Sequence, residues 1–197
     1  GLPEAPGKTA VELFEAAARG EIKALWIACT NPAQSLPEQA LVRRALQRCE
    51  LVILQEAFAD TATAAYADVL LPAASWGEKE GTVTNSERRI SRVRAAVPPP
   101  GMTRPDWQIV RDVAQLLEAQ LRPCRPSLFD IEGPEQLWLE HREATRGRDL
   151  DICGLSYALL DRAGPQQWPC PEGATQGRAR LYEDGRFANE NGRARFI

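Results

Sequence analysis

The sequence of 197 residues contains one histidine and five cysteines, and no two cysteines form a Cys-x-x-Cys pair. A histidine-based metal site or a Ser-His-Asp triad would therefore depend on His141 alone, and its charged neighbours indicate a helix surface. The cysteine spacing is typical of neither a zinc site nor an iron–sulfur site, so we expect reduced, mostly buried thiols. We predict no metal ligands and no catalytic residue in this chain.

Long apolar runs and an excess of positive charge are also missing. No stretch approaches the roughly 18 consecutive apolar residues that span a bilayer, and the first residues lack the order of a signal peptide. The formal net charge of -3 provides no overall basic field for a nucleic-acid backbone. We therefore expect a cytoplasmic protein that binds neither nucleic acid nor a membrane. The GxGxxG pattern of ordinary dinucleotide binding is absent as well.

Two segments near the N-terminus have the periodicity of helices. Residues 9–19 carry apolar side chains at helical spacing, with Thr9 as the predicted N-cap and Gly20 as the stop. Residues 37–48 form the second predicted helix. Its inward side chains are expected to be Ala40, Leu41, Ala45 and Leu46.

Continuous apolar runs predict strands between and after these helices. The runs at 24–29 and 51–54 are typical of strands buried on both faces, and residues 69–71 suggest a third strand after a helix at 61–66. Alternating helices and strands indicate right-handed crossovers and parallel pairing. We predict an α/β fold, with a Rossmann-like three-layer parallel sheet and helices on both faces.

The composition changes after residue 90. Residues 90–97 are basic with alternating apolar positions, and the stiff segment 98–101 contains three prolines and a glycine. Asp106 is a candidate cap for the next helix. Helices are predicted over 107–121, 134–143 and 155–162. We expect a nucleotide-binding region over 1–90 and a helical, loop-rich extension over 91–197 that belongs to neighbouring domains.

Polar residues follow the predicted strands, and ligands of open parallel sheets bind beyond the carboxyl ends of the strands. Asn31 follows the first strand, Gln55 and Glu56 follow the second, and Lys79 lies in a charged, glycine-containing loop over 76–89. A carboxylate can accept from the ring N–H and the amino group of guanine, and an ammonium can bind a diphosphate. The pattern indicates a guanine nucleotide site.

Each of these residues also has a structural explanation. Asn31 before Pro32 could form an Asx turn, which is favoured by residue type alone. Gln55 and Glu56 could belong to a solvated loop, and Lys79 between two glutamates could form a surface ion pair of little energetic value. Asp106, taken alone, is better explained as a helix cap.

Several short motifs together resemble the molybdopterin oxidoreductase family, whose members carry molybdopterin guanine dinucleotide. The motifs, in chain order, are Asn31-Pro32, Gln55-Glu56, Ala-Asp-Val-Leu-Leu-Pro at 67–72, Trp-Gly-Glu-Lys-Glu-Gly-Thr at 76–82, Asn-Ser-Glu-Arg-Arg at 85–89 and Pro-Asp-Trp at 105–107. Gly-Pro-Gln-Gln-Trp-Pro at 164–169 and Gly-Arg-Ala-Arg-Phe at 192–196 most resemble the assimilatory branch that reduces nitrate to nitrite.

The resemblance implies a role for specific residues. Asn31, Gln55, Glu56, Lys79 and Asp106 would stand where the family binds one guanine dinucleotide of the molybdenum bis(molybdopterin guanine dinucleotide) cofactor. Arg88 would lie near the same site. The family also holds a [4Fe–4S] cluster through an N-terminal cysteine motif and, in this branch, ligates molybdenum through a cysteine. Neither motif occurs here, so the resemblance implies an internal piece of a catalytic subunit, inactive alone and without tightly bound cofactor.

The implied partners are the remaining domains of the same subunit and an electron-donor protein or reductase subunit. Two alternatives stay open. Formate dehydrogenase catalytic subunits share the 67–72 and 76–78 patterns, so the substrate could be formate. A non-catalytic nucleotide-binding or interaction domain without molybdenum is the second alternative.

Overall fold

The computed structural model describes residues 4–196, which form two compact units. The first unit contains the described residues up to Ser75 together with Pro99–Val113, and the second contains Trp76–Pro98 and the residues from Ala114 onward. The expected boundary near residue 90 falls within the second unit. How the full-length protein divides into domains stays a prediction.

The first unit is built on a three-stranded parallel sheet. Its elements are α1 (Ala10–Ala18), β1 (Ala24–Ala28), α2 (Pro32–Ser35), α3 (Gln39–Arg48), β2 (Leu51–Glu56), a 3-10 turn (Ala64–Tyr66), β3 (Val69–Pro72) and the first half of α4 (Asp106–Leu121). The strand order is β1-β2-β3, and Ala28, Gln55 and Leu71 are register partners. The predicted α/β fold with a parallel sheet is confirmed.

The first helix forms as predicted because its ends carry strong signals. The Glu12 amide donates to the Thr9 hydroxyl at 3.4 Å, and the Glu12 carboxylate accepts from the Thr9 amide at 2.8 Å. This reciprocal pair is a capping box, which satisfies two amides at the helix start. Gly20 follows the helix with a φ of 83°, a conformation that glycine adopts at no steric cost.

The predicted helix over 37–48 is only partly correct. Helix α3 begins at Gln39, and Glu38 before it has a left-handed φ of 51°. Pro32–Ser35 forms a separate short helix. Val42 is buried in α3, whereas Ala40, expected to face inward, is exposed. Val42, Ala45 and Leu46 share one face of the helix at spacings of three and four residues, and Ala40 lies off that face.

The core of the first unit lies between the sheet and the packed helices α1 and α3. Its buried members are Phe14, Ala17, Leu25, Ile27, Ala33, Val42, Ala45, Leu46, Val52 and Leu54. Strand β1 alternates in burial, and Trp26 between Leu25 and Ile27 is 39% exposed. Leu51 and Val69, which lie on the face of Trp26, are also exposed. The prediction that both faces of β1 are buried was therefore wrong.

The predicted helix over 61–66 is also wrong, since only Ala64–Tyr66 forms a short 3-10 turn. Thr63 immediately before this turn is fully buried and uses its hydroxyl in hydrogen bonds to other segments. These long-range hydrogen bonds stabilise an irregular backbone at this point, in place of the hydrogen bonds of a helix.

The second unit contains a small antiparallel sheet. Its elements are a 3-10 turn (Trp76–Glu78), β4 (Gly81–Thr84), β5 (Arg89–Val93), the second half of α4, α5 (Pro134–Ala144), α6 (Tyr157–Ala163) and β6 (Gln166–Gln167). Strand β5 pairs with both β4 and β6. The helices predicted from 134 and 155 are confirmed to within two residues. The segment 76–89, predicted as a loop, includes β4.

The core of the second unit is separate from that of the first. Its buried members are Ile90, Trp138, Ile152, Leu155, Tyr157, Leu160 and Cys170. Trp138 and Tyr157 contribute rings with centroids 6.3 Å apart. Gly154 packs closely against the backbone of Pro171. A Cβ at position 154 would lie 2.4 Å from the Pro171 carbonyl oxygen. This position therefore requires glycine.

Candidate functional site

Gln55 and Asp106 meet at the carboxyl end of the parallel sheet. Gln55 is only 2% exposed, and its Nε2 donates to Asp106 Oδ1 at 2.9 Å. Its Oε1 accepts from the Trp26 indole Nε1 at 3.2 Å. The side-chain amide is thus bonded at both ends, as a buried polar group requires. Sequence reasoning placed Gln55 at the right end of the strand but missed that it is buried.

The backbone explains why Asp106 reaches this position from a later part of the chain. The Arg104 amide donates to the Pro72 carbonyl at 3.1 Å, and the Ala74 amide donates to the Arg104 carbonyl at 2.9 Å. These bonds attach the segment before α4 to the end of β3, with Ala73 and Arg104 paired as a parallel bridge. Helix α4 therefore begins beside the carboxyl ends of the strands.

Asp106 is itself the first residue of α4, so the helix begins one residue earlier than predicted and Asp106 is not the residue before it. Its carboxylate is half-buried, and Oδ1 also lies 3.9 Å from the Cys29 Sγ. Cys29 follows β1 with a φ of 60° and is exposed. Sequence reasoning did not include Cys29 in the site, although its place directly after a strand was a usable signal.

Asn31 connects the loop after β1 to the turn before Ala64. Its Oδ1 accepts from the Thr63 hydroxyl at 2.6 Å and from the Thr63 amide at 3.1 Å, and its Nδ2 donates to Gln34 at 3.0 Å. The Asn31 side chain therefore bonds Thr63 and Gln34 and does not form the Asx turn before Pro32. Asn31 therefore fixes the shape of the loop that borders the end of β1.

The side chain of Glu56, the last residue of β2, folds back onto the loop that follows the strand. Its Oε1 accepts from the amides of Ala57 at 2.7 Å and Phe58 at 3.4 Å. The side chain is half-buried. A carboxylate held by backbone amides is an oriented hydrogen-bond acceptor at the carboxyl end of the central strand.

Arginine side chains near the start of α4 are paired with Asp112. Arg104 Nη1 and Arg111 Nη2 both bond the Asp112 carboxylate, the latter at 2.6 Å. Burial alone would raise the pKa of Asp112, but the hydrogen bonds from Arg111 and Arg104 outweigh it and hold this pKa below its usual value. Asp112 is therefore ionised at neutral pH and engages both guanidinium groups.

The two remaining predicted residues lie in the second unit. The Lys79 ammonium is 5.1 Å from the centroid of the Trp76 ring, a cation–π distance. The neighbouring Glu80 pairs with Arg92 at 3.1 Å. Lys79 therefore has an aromatic neighbour in addition to the acidic ones that its sequence position indicated.

Arg88 is engaged inside the second unit. Its guanidinium donates to the backbone carbonyls of Trp168, of Arg178 at 3.4 Å and of Ala179 at 2.8 Å. It also lies 5.3 Å from the centroid of the Trp168 ring. These contacts are structural. They favour a role for Arg88 in holding the later part of the chain, and they argue against its predicted contact with the cofactor.

The cysteines do not form a metal site within residues 4–196, where no cluster of three or more potential histidine, cysteine or acidic ligands occurs. Two thiols are buried, one is half-buried, and Cys29 and Cys124 are exposed, so the prediction of mostly buried thiols was wrong. Burial raises the pKa of Cys49, Cys153 and Cys170, which keeps them as thiols and poor ligands. His141 is exposed, as predicted.

The described part of the chain has no helix with both the length and the apolar character needed to cross a bilayer.

The fold and the convergence of polar residues at the end of a parallel sheet are typical of a nucleotide-binding α/β domain. Residues 2–116 match the family model of the molybdopterin oxidoreductases. The chain belongs to this family, whose name implies a molybdenum–pterin cofactor.

Individual relatives show which members of this family the chain resembles. The chain is 40% identical over 195 residues to a nitrate reductase of Synechocystis sp., covering 97% of this chain and 26% of that protein. It is 40% identical to the assimilatory nitrate reductase catalytic subunit of Bacillus subtilis, covering 95% and 25%. Formate dehydrogenase H of Escherichia coli is 34% identical, covering 100% and 26%. The chain thus spans about a quarter of the length of these relatives.

A solved structure supports the fold. Acetylene hydratase from Pelobacter acetylenicus superposes with a TM-score of 0.64 at 19% sequence identity, covering 93% of this chain and 23% of that protein. At this identity the likeness concerns the fold alone.

Proposed function

We propose that this chain is part of the catalytic subunit of a molybdenum-dependent assimilatory nitrate reductase, which reduces nitrate to nitrite. Its first unit would bind the guanosine end of a molybdopterin guanine dinucleotide. The observation that carries this proposal is the convergence of Gln55, Asp106 and the end of β1 at the carboxyl edge of the sheet. The nitrate reductase relatives support the substrate.

The residues present fit a guanine nucleoside. Guanine offers a ring N–H and an exocyclic amino group side by side, and one carboxylate can accept from both. The half-buried carboxylate of Asp106 has this chemistry, and Glu56 is a second oriented acceptor suited to ribose hydroxyls. The proposed residues of the first unit, Asn31, Gln55, Glu56 and Asp106, carry no positive charge. They therefore suit the nucleoside and not the phosphates.

The phosphates require a cation, and Lys79 is the residue proposed for them. An ammonium acts as a point charge toward phosphate oxygens. A cofactor role for Arg88 would require its guanidinium to give up bonds to three backbone carbonyls.

The cofactor supplies the redox chemistry when it is bound, and the protein supplies binding and orientation. No catalytic residue is proposed in this chain. The proposed partners are the other parts of the same subunit, including a [4Fe–4S] cluster held outside this sequence, and an electron-donor protein. The proposed compartment is the cytoplasm, a setting that keeps thiols reduced, and no disulfide joins the five cysteines, all of which lie in the described part of the chain.

Formate is the alternative substrate, supported by the 34% identity to formate dehydrogenase H. Activity of the purified full-length subunit decides between the two. With a reduced artificial donor and nitrate we expect nitrite to form, and with formate and an artificial acceptor we expect no turnover. The reverse result would assign the chain to a formate dehydrogenase. Family membership argues against the alternative of a domain unrelated to molybdenum.

Cofactor content tests the role of Asp106. We expect Asp106→Asn in the full-length subunit to lower the molybdenum and releasable GMP per subunit roughly tenfold, since hydrogen bonds to a charged acceptor are worth about 1.5–3 kcal/mol. The matched control is Asp60→Asn, which makes the same change at an exposed position of the first unit. Equal cofactor content in both variants would reject Asp106 as a nucleotide-binding residue.

A further inference from the structure

We infer that Gln55 is a positioning residue, which orients the carboxylate of Asp106 toward guanine and does not itself contact the nucleotide. The inference rests on the proposed function of Asp106. It revises the expectation that Gln55 binds the cofactor through its side chain. The first observation behind it is burial: Gln55 is 2% exposed, so its amide has almost no surface to offer a ligand.

The second observation is that the amide can adopt only one orientation. The Trp26 indole nitrogen can only donate a hydrogen bond, and an ionised carboxylate can only accept one. Gln55 lies between these two groups, at 3.2 Å from Trp26 Nε1 and 2.9 Å from Asp106 Oδ1. Its carbonyl must therefore face Trp26 and its NH2 group must face Asp106. In the flipped orientation the NH2 group would face the indole N–H, a donor against a donor. The carbonyl would face the carboxylate, an acceptor against an acceptor.

This fixed amide constrains the one torsion angle that matters for reading guanine. The terminal torsion of an aspartate side chain is broad, so a carboxylate without a partner rotates over a wide range. Guanine recognition needs both oxygens in the plane of two parallel N–H bonds. A hydrogen bond from Gln55 to Oδ1 uses one of about four acceptor positions of the carboxylate and holds its plane.

The variants separate donation to Asp106 from simple packing. Gln55→Glu keeps the shape and the acceptor for Trp26. Two adjacent carboxylates share a proton, so this variant is titrated at a pH high enough to remove that proton, where it cannot donate to Asp106. Trp26→Phe removes the indole donor and leaves the bond from Gln55 to Asp106 available. Gln47→Glu is the charge control, because it makes the same substitution at an exposed position of α3. If Gln55→Glu does not fold, Gln55→Met keeps the length of the side chain and also removes the donor.

The readout is discrimination between two nucleotides by the cofactor-free full-length subunit, titrated with GDP and with IDP. Hypoxanthine lacks the 2-amino group of guanine, so only a well-aimed carboxylate distinguishes the pair. We expect the parent and Gln47→Glu to bind GDP more tightly by roughly tenfold, the value of one hydrogen bond to a charged group. Gln55→Glu should bind GDP and IDP with equal affinity. Trp26→Phe should lose less of the preference for GDP than Gln55→Glu does.

A spectroscopic measurement separates this effect from unfolding. The indole N–H signal of Trp26, assigned by its absence in Trp26→Phe, should persist as a hydrogen-bonded resonance in Gln55→Glu. A positioning role is overturned if Gln55→Glu keeps the full preference for GDP while Asp106→Asn loses it. It is also overturned if Trp26→Phe loses as much as Gln55→Glu, which would indicate packing alone. If neither Gln55 nor Asp106 variants change a preference, the proposed function of Asp106 itself fails.

Discussion

The Gln55 amide nitrogen lies 2.9 Å from the Asp106 carboxylate oxygen, although 51 residues separate the two in the chain. Gln55 is the residue before the last of the central strand β2, and Asp106 begins helix α4. Their contact joins the sheet to α4 at the edge where ligands of parallel sheets bind. Because the contact is buried on the Gln55 side and half-buried on the Asp106 side, it is both a structural link and part of a candidate binding surface.

A first prediction concerns the threonines before the 3-10 turn. Thr63 Oγ1 donates to Asn31 and accepts from the Ala33 amide at 3.1 Å. Thr63→Val leaves that buried amide without a partner, so we expect the free energy of unfolding to fall by about 1–3 kcal/mol. Chemical denaturation measures this change.

Thr61→Val is the matched control for this substitution. The Thr61 hydroxyl is buried and, within the described residues, has no hydrogen-bond partner. Replacing it by a methyl group should therefore leave stability unchanged or raise it. Equal losses in the two valine variants would show that the bonds of Thr63 contribute nothing specific.

A second prediction concerns acid stability of the second unit. Asp151 accepts from the amides of Cys153 at 2.7 Å and Gly147 at 2.8 Å. Burial alone would raise the pKa of Asp151, but these two bonds outweigh it and lower the pKa. A lowered folded-state pKa gives stability that is complete above the unfolded value of about 3.9 and is lost as pH falls through the folded value.

We expect Asp151→Asn to destabilise the second unit at pH 7 by about 1.5–3 kcal/mol, the usual value of hydrogen bonds to a charged group. The difference from the parent should be smaller at a second, acidic pH below the lowered folded-state pKa of Asp151, where both side chains are neutral. Urea unfolding at the two pH values measures it, with the exposed Asp149→Asn as control. A difference that does not depend on pH would contradict the assigned role of the Asp151 charge.

Much of the first unit could be predicted because local signals agree with the final structure. Thr9, Glu12 and Gly20 define the ends of α1, and three apolar runs define the strands. The residue type at the end of the second strand was also sufficient to nominate Gln55, whereas Asp106 was nominated only through the family resemblance. Such signals are short in range, and the features that were missed depend on distant partners.

The burial of Gln55 was not visible in the sequence because its partners, Trp26 and Asp106, come from other elements. The predicted helix at 61–66 failed for the same reason, since Thr63 bonds Asn31 and Ala33. Strand β1 was predicted to be buried on both faces, because a continuous apolar run does not show which face a helix covers. Tertiary contacts decided each of these points.

A third prediction concerns Arg88. Its bonds to three carbonyls hold the chain at Trp168, Arg178 and Ala179. Lysine presents no planar fork, so we expect Arg88→Lys to lose two of the three bonds and to expose the segment after Arg178. Limited trypsin digestion should cleave there several times faster.

The neighbouring substitution Arg89→Lys provides the comparison, because Arg89 makes a surface ion pair with Glu87. Such pairs contribute about 0–1 kcal/mol, so its digestion rate should match the parent. If Arg88→Lys digests at the parent rate but lowers cofactor content in the full-length subunit, Arg88 is a cofactor residue and not a structural clamp.

A fourth prediction concerns the chain in isolation. It contains neither a cluster of metal ligands among its described residues nor a proposed catalytic group. We therefore expect no nitrate reduction by the purified 197-residue chain with artificial electron donors, whereas the full-length subunit should turn over under the same conditions. Nitrite formation by the isolated chain would show that the catalytic centre lies within it.

The position of the guanine base in the cofactor-loaded full-length subunit tests the central claim most directly. We expect a crystal structure to show the ring nitrogen and the amino group of one guanine within about 3 Å of the Asp106 carboxylate oxygens. Gln55 should still donate to Oδ1 in that structure. A guanine bound elsewhere, with Asp106 facing only protein, would contradict the proposal that this end of the sheet holds the nucleotide.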